Sequence, residues 1–190
     1  NEKRSDMMPV NNAYHIEELI EACKYYIEKT HRRISFEYAL AKDNNDNLSD
    51  AKQLVKLLKE VKSKHQNVHL IGLVSTGNIH ASIEHLYELI KICNQCNIKP
   101  VLDLISDGRD CKDKEFLTIL KKIDSKYIKT KKAVIGSIAG RYYSLDRNEN
   151  FKRTLLSYNE MINIAQDNIE PIAYIEQSYK NGISDELLSP

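Results

Sequence analysis

Glycine and proline are scarce in this chain, at 6 and 4 of 190 residues. That excludes a collagen-like or proline-rich chain. Charge of one sign is also lacking: 28 Lys and Arg face 27 Asp and Glu, for a net charge of +1. No basic footprint for nucleic acid follows from that balance. Long apolar runs are missing. The longest, such as Leu70-Ile71-Gly72-Leu73-Val74, have the length of a strand. A membrane span needs about 20 apolar residues, so no membrane partner is expected. The N-terminal stretch Asn1-Glu2-Lys3-Arg4-Ser5-Asp6 is polar and does not read as a signal peptide. Cysteine occurs only at Cys23, Cys93, Cys96 and Cys111. Without a secretion signal these read as reduced thiols of a cytoplasmic protein. Cys93 and Cys96 form a lone CxxC inside a helical pattern, where a spacing of three shares one face. A zinc site is not expected there.

What is present is enough to fold. Hydrophobic residues make up 42% and charged residues 29%, a normal core composition for one domain or two small ones. Ile16, Leu19, Ile20, Cys23, Tyr26 and Ile27 repeat at helical spacing, which predicts a helix over 16–30. Ile34, Phe36, Tyr38 and Leu40 alternate, which predicts a strand over 33–40. Ser49 is read as the N-cap of a helix to Ser63, with Leu54, Val55, Leu57, Leu58 and Val61 inward. Strands are expected at 68–74, 100–105 and 133–138. The first of these is placed at the centre because it is the least polar. Helices are expected at 83–93, 114–126, 148–164 and 171–180, with Gly182 as a stop signal. This alternation predicts an α/β fold with a mostly parallel sheet flanked by helices.

Ligands in such sheets sit beyond the carboxyl ends of the strands. Three exits there carry His80, Arg109-Asp110 and Arg141 to Arg147. Guanidinium groups fit phosphate and carboxylate through paired N–H bonds. Arg109, Arg141 and Arg147 together suit a small acid bearing both groups. Asp110 is the candidate to take a proton from a substrate hydroxyl, and His80 could donate to a phosphate oxygen. The ordinary alternative is a set of surface loop charges with local pairings. The Lys-rich stretch 121–132 reads as a solvated face, and RNA is not expected as a partner.

The run Val68 to His80 resembles the "HLxGLxSDGGVHSH" segment of 2,3-bisphosphoglycerate-independent phosphoglycerate mutases. Asp107-Gly108-Arg109-Asp110 is similar to that family's "DGRD" loop, and Gly140-Arg141-Tyr142-Tyr143-Ser144-Leu145-Asp146-Arg147 to its "GRYYxMDR" motif. Ser178-Tyr179 and Gly182-Ile183-Ser184-Asp185-Glu186 resemble its "SYxxGxTDE" run. The motifs come in family order over residues 67–190. The resemblance implies an isomerase of glycolysis that interconverts 3- and 2-phosphoglycerate. It implies that Arg109, Arg141 and Arg147 hold phosphate and carboxylate, that Asp110 is the acid/base and that His80 is a substrate contact. The family's two manganese ions and phosphoryl-carrying serine belong to another domain. No cofactor is therefore expected on this chain, and binding of 3-phosphoglycerate or 2-phosphoglycerate should be weak and without turnover. Three positions depart from the family: Thr76 replaces its Asp, Asn78 a Gly and Ser82 a His. Loss of the glycine is expected to reshape the turn before His80.

Residues 1–64 resemble a different family, the radical-SAM methyltransferases of 23S ribosomal RNA adenine. Arg4-Ser5-Asp6-Met7-Met8-Pro9-Val10-Asn11 and Arg32-Arg33-Ile34-Ser35-Phe36-Glu37-Tyr38-Ala39-Leu40 carry that likeness. The family's CxxxCxxC cluster loop is not among them. The expected organisation is a 1–64 βα segment joined to a 65–190 partial substrate domain, truncated or chimeric. Two other readings stand beside it: a methyltransferase fragment, and a catalytically inert α/β chimera.

Overall fold

A computed structural model describes residues 2–31, 48–162 and 169–190. The expected strand at 33–40 lies outside the described residues. The chain divides into two compact units, Asn1–Asp50 and Ala51–Pro190.

In the first unit, helix α1 spans Glu2–Met7, a 3-10 turn Pro9–Asn12 follows, and α2 covers Ile16–Thr30, where the periodicity predicts it. Asn11 is fully buried there. It accepts from Arg4, and its amide donates to the Ser5 hydroxyl at 2.7 Å. His31 ends α2 in the left-handed conformation, its amide returning to the Ile27 carbonyl at 2.8 Å.

Helix α3 spans Leu48–Ser63, so Ser49 lies in its first turn and is not its cap. In the second unit, strand β1 (His69–Val74), helix α4 (Ile83–Gln95), β2 (Val101–Ser106), α5 (Phe116–Ile123) and β3 (Val134–Gly140) alternate. A π-helical turn, Asp124–Ile128, continues α5. Among the described residues the strands form one parallel sheet in the order β1-β2-β3. The fold is therefore α/β, with a parallel sheet flanked by helices. No helix among the described residues is long and apolar enough to cross a membrane.

The centre of that sheet is β2, not the 68–74 strand. Every β2 residue is buried, whereas Ile71 of β1 is half exposed. Counting polar residues misplaced the centre because β2 carries polar groups that are satisfied inside. Asp103 is fully buried. It accepts from the Ser137 hydroxyl at 2.8 Å, and His69 Nδ1 lies 2.7 Å from its other oxygen. A buried polar group with partners carries little penalty, so it can occupy a central strand.

The opposite face holds the main core. Val74, Leu102 and Leu104 meet Ile83 and Ile90 of α4 and Phe116, Ile119, Leu120 and Ile123 of α5. Two successive crossovers of the usual hand place both helices on one face. Helix α8 (Pro171–Lys180) adds Ile175 to the same cluster. Glu170 caps α8 by accepting from the Ile172 and Ala173 amides, and Gly182 follows its end at φ 78°. Helix α6 (Arg141–Ser144) leaves β3 directly and is tied to α7 (Phe151–Ile162) by a 2.8 Å contact between the Ser144 and Ser157 hydroxyls.

A smaller cluster joins Leu58 of α3 to Cys93 and Cys96, with Leu54 and Val55 alongside. Leu57, expected inward, is 54% exposed. At 100° per residue it lies a full 100° round the helix from Leu58, which sits buried between Leu54 and Val55 in angle. Burial, helped by Cys96, pushes the Cys93 thiol up to about 11. Since the thiolate is the nucleophile, native Cys93 should resist iodoacetamide at pH 7.5 and react once urea unfolds the chain. Mass spectrometry of the alkylated peptides checks this. Labelling of Cys93 as fast as that of the half-exposed Cys23 would contradict it.

Candidate functional site

The carboxyl ends of β1, β2 and β3 open into three loops that meet. At the β1 exit, Gly77 donates its amide to the Ser75 hydroxyl at 2.9 Å. A Cβ on Gly77 would run into the Asp110 carbonyl, so only glycine lets this loop touch the β2 exit. Asn78 follows at φ 54°. That is the left-handed region a glycine fills, and Asn is among the few other residues that enter it readily. Asn78 therefore holds a backbone conformation that glycine also adopts without strain.

At the β2 exit, Asp107 is almost wholly buried. Its Oδ1 accepts from the Arg109 and Asp110 amides, each at 3.2 Å, which folds the loop into an Asx-type turn. The same oxygen accepts from Arg141 Nη1 at 2.5 Å. Its Oδ2 is buried and accepts no hydrogen bond of ordinary geometry. Burial would raise the Asp107 carboxyl. The nearby Ser75 hydroxyl, Arg141 and the two amides outweigh it and hold Asp107 below its ordinary value.

At the β3 exit, Arg141 is the first residue of α6. Its side chain is 11% exposed, and its Nη1 also donates to Asp110 Oδ2 at 2.7 Å. Burial opposes this charge, but Asp110 and Asp107 more than offset it and raise the Arg141 pKa. His80 Nε2 stands 3.6 Å from the same Asp110 oxygen. The structure thus brings Arg141, Asp110 and His80 together around one carboxylate. Arg109 is turned to Glu186, at 2.7 Å through Nε and 2.5 Å through Nη2. That hydrogen bond and charge raise the Arg109 pKa.

Arg147 is exposed and makes no hydrogen bond or ion pair with the other four among the described residues. Its neighbour Asp146 is nearly buried and organises the loop instead. It accepts from the Asn150 amide at 2.7 Å and from Arg153 at 3.1 Å, while Arg153 stacks on the Tyr142 ring at 3.7 Å. Residue-by-residue reading missed Asp107 and Glu186 as parts of the site. The signal for Asp107 was its place two residues before Arg109, where an Asx turn would bond the loop amides. Glu186 left no local signal of its pairing, only its place in the "SYxxGxTDE" likeness, since its partner lies 77 positions away.

The fold is of the class of open parallel α/β units, in which ligands sit beyond the carboxyl ends of the strands, where these guanidinium groups and carboxylates meet. The chain belongs to the family described as BPG-independent PGAM N-terminus, whose model matches residues 41–190. Relatives include the 2,3-bisphosphoglycerate-independent phosphoglycerate mutase of Malacoplasma penetrans, 31% identical over 73% of this chain and 28% of that protein. The enzyme of the same name from Helicobacter pylori strain J99 is 38% identical over 67% of this chain and 26% of its own length. Among solved structures, Leishmania mexicana phosphoglycerate mutase, determined at low cobalt concentration, shares the fold. Its TM-score is 0.62 at 20% identity, over 74% of this chain and 30% of that one. The chain thus spans less than a third of the length of these relatives. The match begins at residue 41 and so takes in α3. These relatives lend the methyltransferase resemblance of residues 1–64 no support.

Proposed function

We propose that this chain supplies part of the phosphoglycerate-binding side of a cofactor-independent phosphoglycerate mutase. Arg141, Arg109 and Arg147 hold the phosphate and carboxylate of 3- or 2-phosphoglycerate. Asp110 serves as acid/base on the glycerate hydroxyl, and His80 is a further contact. The observation that carries this reading is Arg141, fixed by Asp107 and Asp110 at the sheet's carboxyl edge within a family-matched segment. Both of its bonds run through Nη1, which leaves Nε and Nη2 for an anion. The isomerase reaction of the whole enzyme, in glycolysis, belongs to the same proposal. Among the described residues no group of three or more His, Cys, Asp or Glu is arranged to hold a metal ion.

The test is a chemical-shift titration with 3-phosphoglycerate, with sulfate as control. Affinity in the millimolar range is expected, because loop ordering and lost translation offset most of the charge-assisted contacts. Arg141→Ala should weaken binding by about tenfold or more, the worth of one charged hydrogen bond. His80→Ala should cost about threefold or less, since exposed pairs contribute little. Equal responses to sulfate and phosphoglycerate would reduce the site to a generic anion patch.

A further inference from the structure

Glu186 has no role in the reading above, yet it is built into the site. It lies in the 3-10 turn Asp185–Leu187, and this short segment is anchored on both sides of Glu186. The Gly140 amide donates to the Leu188 carbonyl at 2.7 Å, and the Ser106 hydroxyl to the Asp185 carbonyl at 2.7 Å. The Asp185 amide donates to Asp113 at 3.2 Å. A Cβ on Gly140 would collide with the Glu186 carbonyl and stand 2.8 Å from the Leu188 amide nitrogen, so the segment lies directly on the end of β3. The backbone of Glu186 is therefore fixed by β2, β3 and the loop before α5.

Its carboxylate meets Arg109 in a particular way. One oxygen, Oε1, takes both Nε at 2.7 Å and Nη2 at 2.5 Å. That occupies the side edge of the guanidinium. The end edge, formed by the Nη1 hydrogens and the outer Nη2 hydrogen, stays clear of this contact. An arginine on a loop, 48% exposed as Arg109 is, would otherwise lose rotamer freedom when a ligand arrives. Fixing it beforehand removes that cost from binding.

We infer that Glu186 is a positioning residue of the anion site: it clamps the side edge of Arg109 so that the end edge faces the incoming phosphate or carboxylate. This rests on the phosphoglycerate-binding reading, and it adds a residue from the end of the described chain to that site. At Arg141 carboxylates also fix the guanidinium, but there Asp107 and Asp110 both take Nη1, and the side edge is the one left open.

The experiment titrates the full chain with inorganic phosphate and, separately, with 3-phosphoglycerate. The variants are E186A, E186Q, R109A and the double variant E186A/R109A. E186A should weaken binding of both anions by about tenfold, with an unchanged unfolding midpoint. R109A should cost about the same, and the double variant no more than R109A alone, since Glu186 acts only through Arg109. E186Q should recover most of the affinity, because its amide oxygen still accepts both N–H bonds. In the free protein the Arg109 Nε–H resonance should be protected from exchange in the parent and E186Q, and lost in E186A. Unchanged or tighter binding by E186A, or additive losses in the double variant, would overturn the inference. If E186A weakens phosphate binding but 3-phosphoglycerate binds no better than phosphate, the positioning role stands and the phosphoglycerate reading fails. If neither anion perturbs Arg109 in any variant, both fall.

Discussion

Replacing Asp107 by Asn is expected to destabilise the second unit by about 3 kcal/mol at neutral pH, the lower end for breaking a buried charge pair. The Asp107 side chain is fully buried, and that of Arg141 nearly so. After the substitution Arg141 keeps only Asp110. The new amide group also brings N–H donors into a place that offered one unpartnered acceptor atom, Oδ2. Two amides of the β2 exit depend on the same side chain, so the Arg109-Asp110 loop should loosen as well. Urea unfolding followed by circular dichroism, with hydrogen exchange of β2 and β3, measures the deficit. Its pH dependence gives the sign. Asp107 is held below its ordinary value in the folded state. Its contribution is therefore complete above the unfolded carboxyl pKa of about 3.9 and is lost as pH falls through the lower folded value. The gap between parent and Asp107→Asn should be constant from pH 7 to 5 and narrow below about pH 3.5. A deficit under about 1 kcal/mol, or one that persists unchanged in acid, would contradict this account of the buried pair.

The second large effect is expected at Asp185, which is fully buried. Its carboxylate accepts from the Tyr179 hydroxyl and, at 3.1 Å, from the Phe116 amide at the start of α5. Asp185→Ala strands both donors and should cost about 3 kcal/mol, near the upper range for orphaned buried hydrogen bonds. Asp185→Asn keeps an acceptor oxygen and removes the buried charge, so about 1 kcal/mol is expected. Here the linkage runs the other way. Burial raises the Asp185 carboxyl above its ordinary value, although Tyr179 and the Phe116 amide work against it. The folded state then binds the proton more tightly, and the parent should gain stability relative to Asp185→Asn as pH falls through the raised value. Denaturation of the three proteins at pH 7 and pH 4.5 tests both points. An Asn variant as damaged as the Ala variant would show that charge, and not the acceptor, holds the turn. The Tyr179 hydroxyl, pushed up by burial and by Asp185, should stay un-ionised throughout.

Much of the fold was legible because its signals are local. Helix α2 matches the spacing from Ile16 to Ile27, and α8 begins and ends at Pro171 and Lys180. The three described strands fall within two residues of their expected ends. Boundaries that depend on end chemistry were less legible. Ser49 lies inside α3, and the segment after Ile123 continues as a π-helical turn. The site was legible as motifs at strand exits, but its pairings were not. Nothing near Arg109 in the chain announces Glu186, and nothing near Arg147 announces that Asp146 turns to Arg153.

By itself, then, the sequence determined the α/β alternation, the parallel sheet, and the exits that carry His80, Arg109, Asp110 and Arg141. Those features are set by side-chain periodicity and turn chemistry within a few residues. Only the tertiary structure decided that β2 is central, that Leu57 faces outward, and which carboxylate each arginine meets. A strand's place depends on which neighbours cover both its faces, and Asp103 could enter the centre only once His69 and Ser137 were beside it. The arginine pairings join residues 31 to 77 positions apart. Contacts at that range are fixed by the packing of whole elements, which no local pattern records.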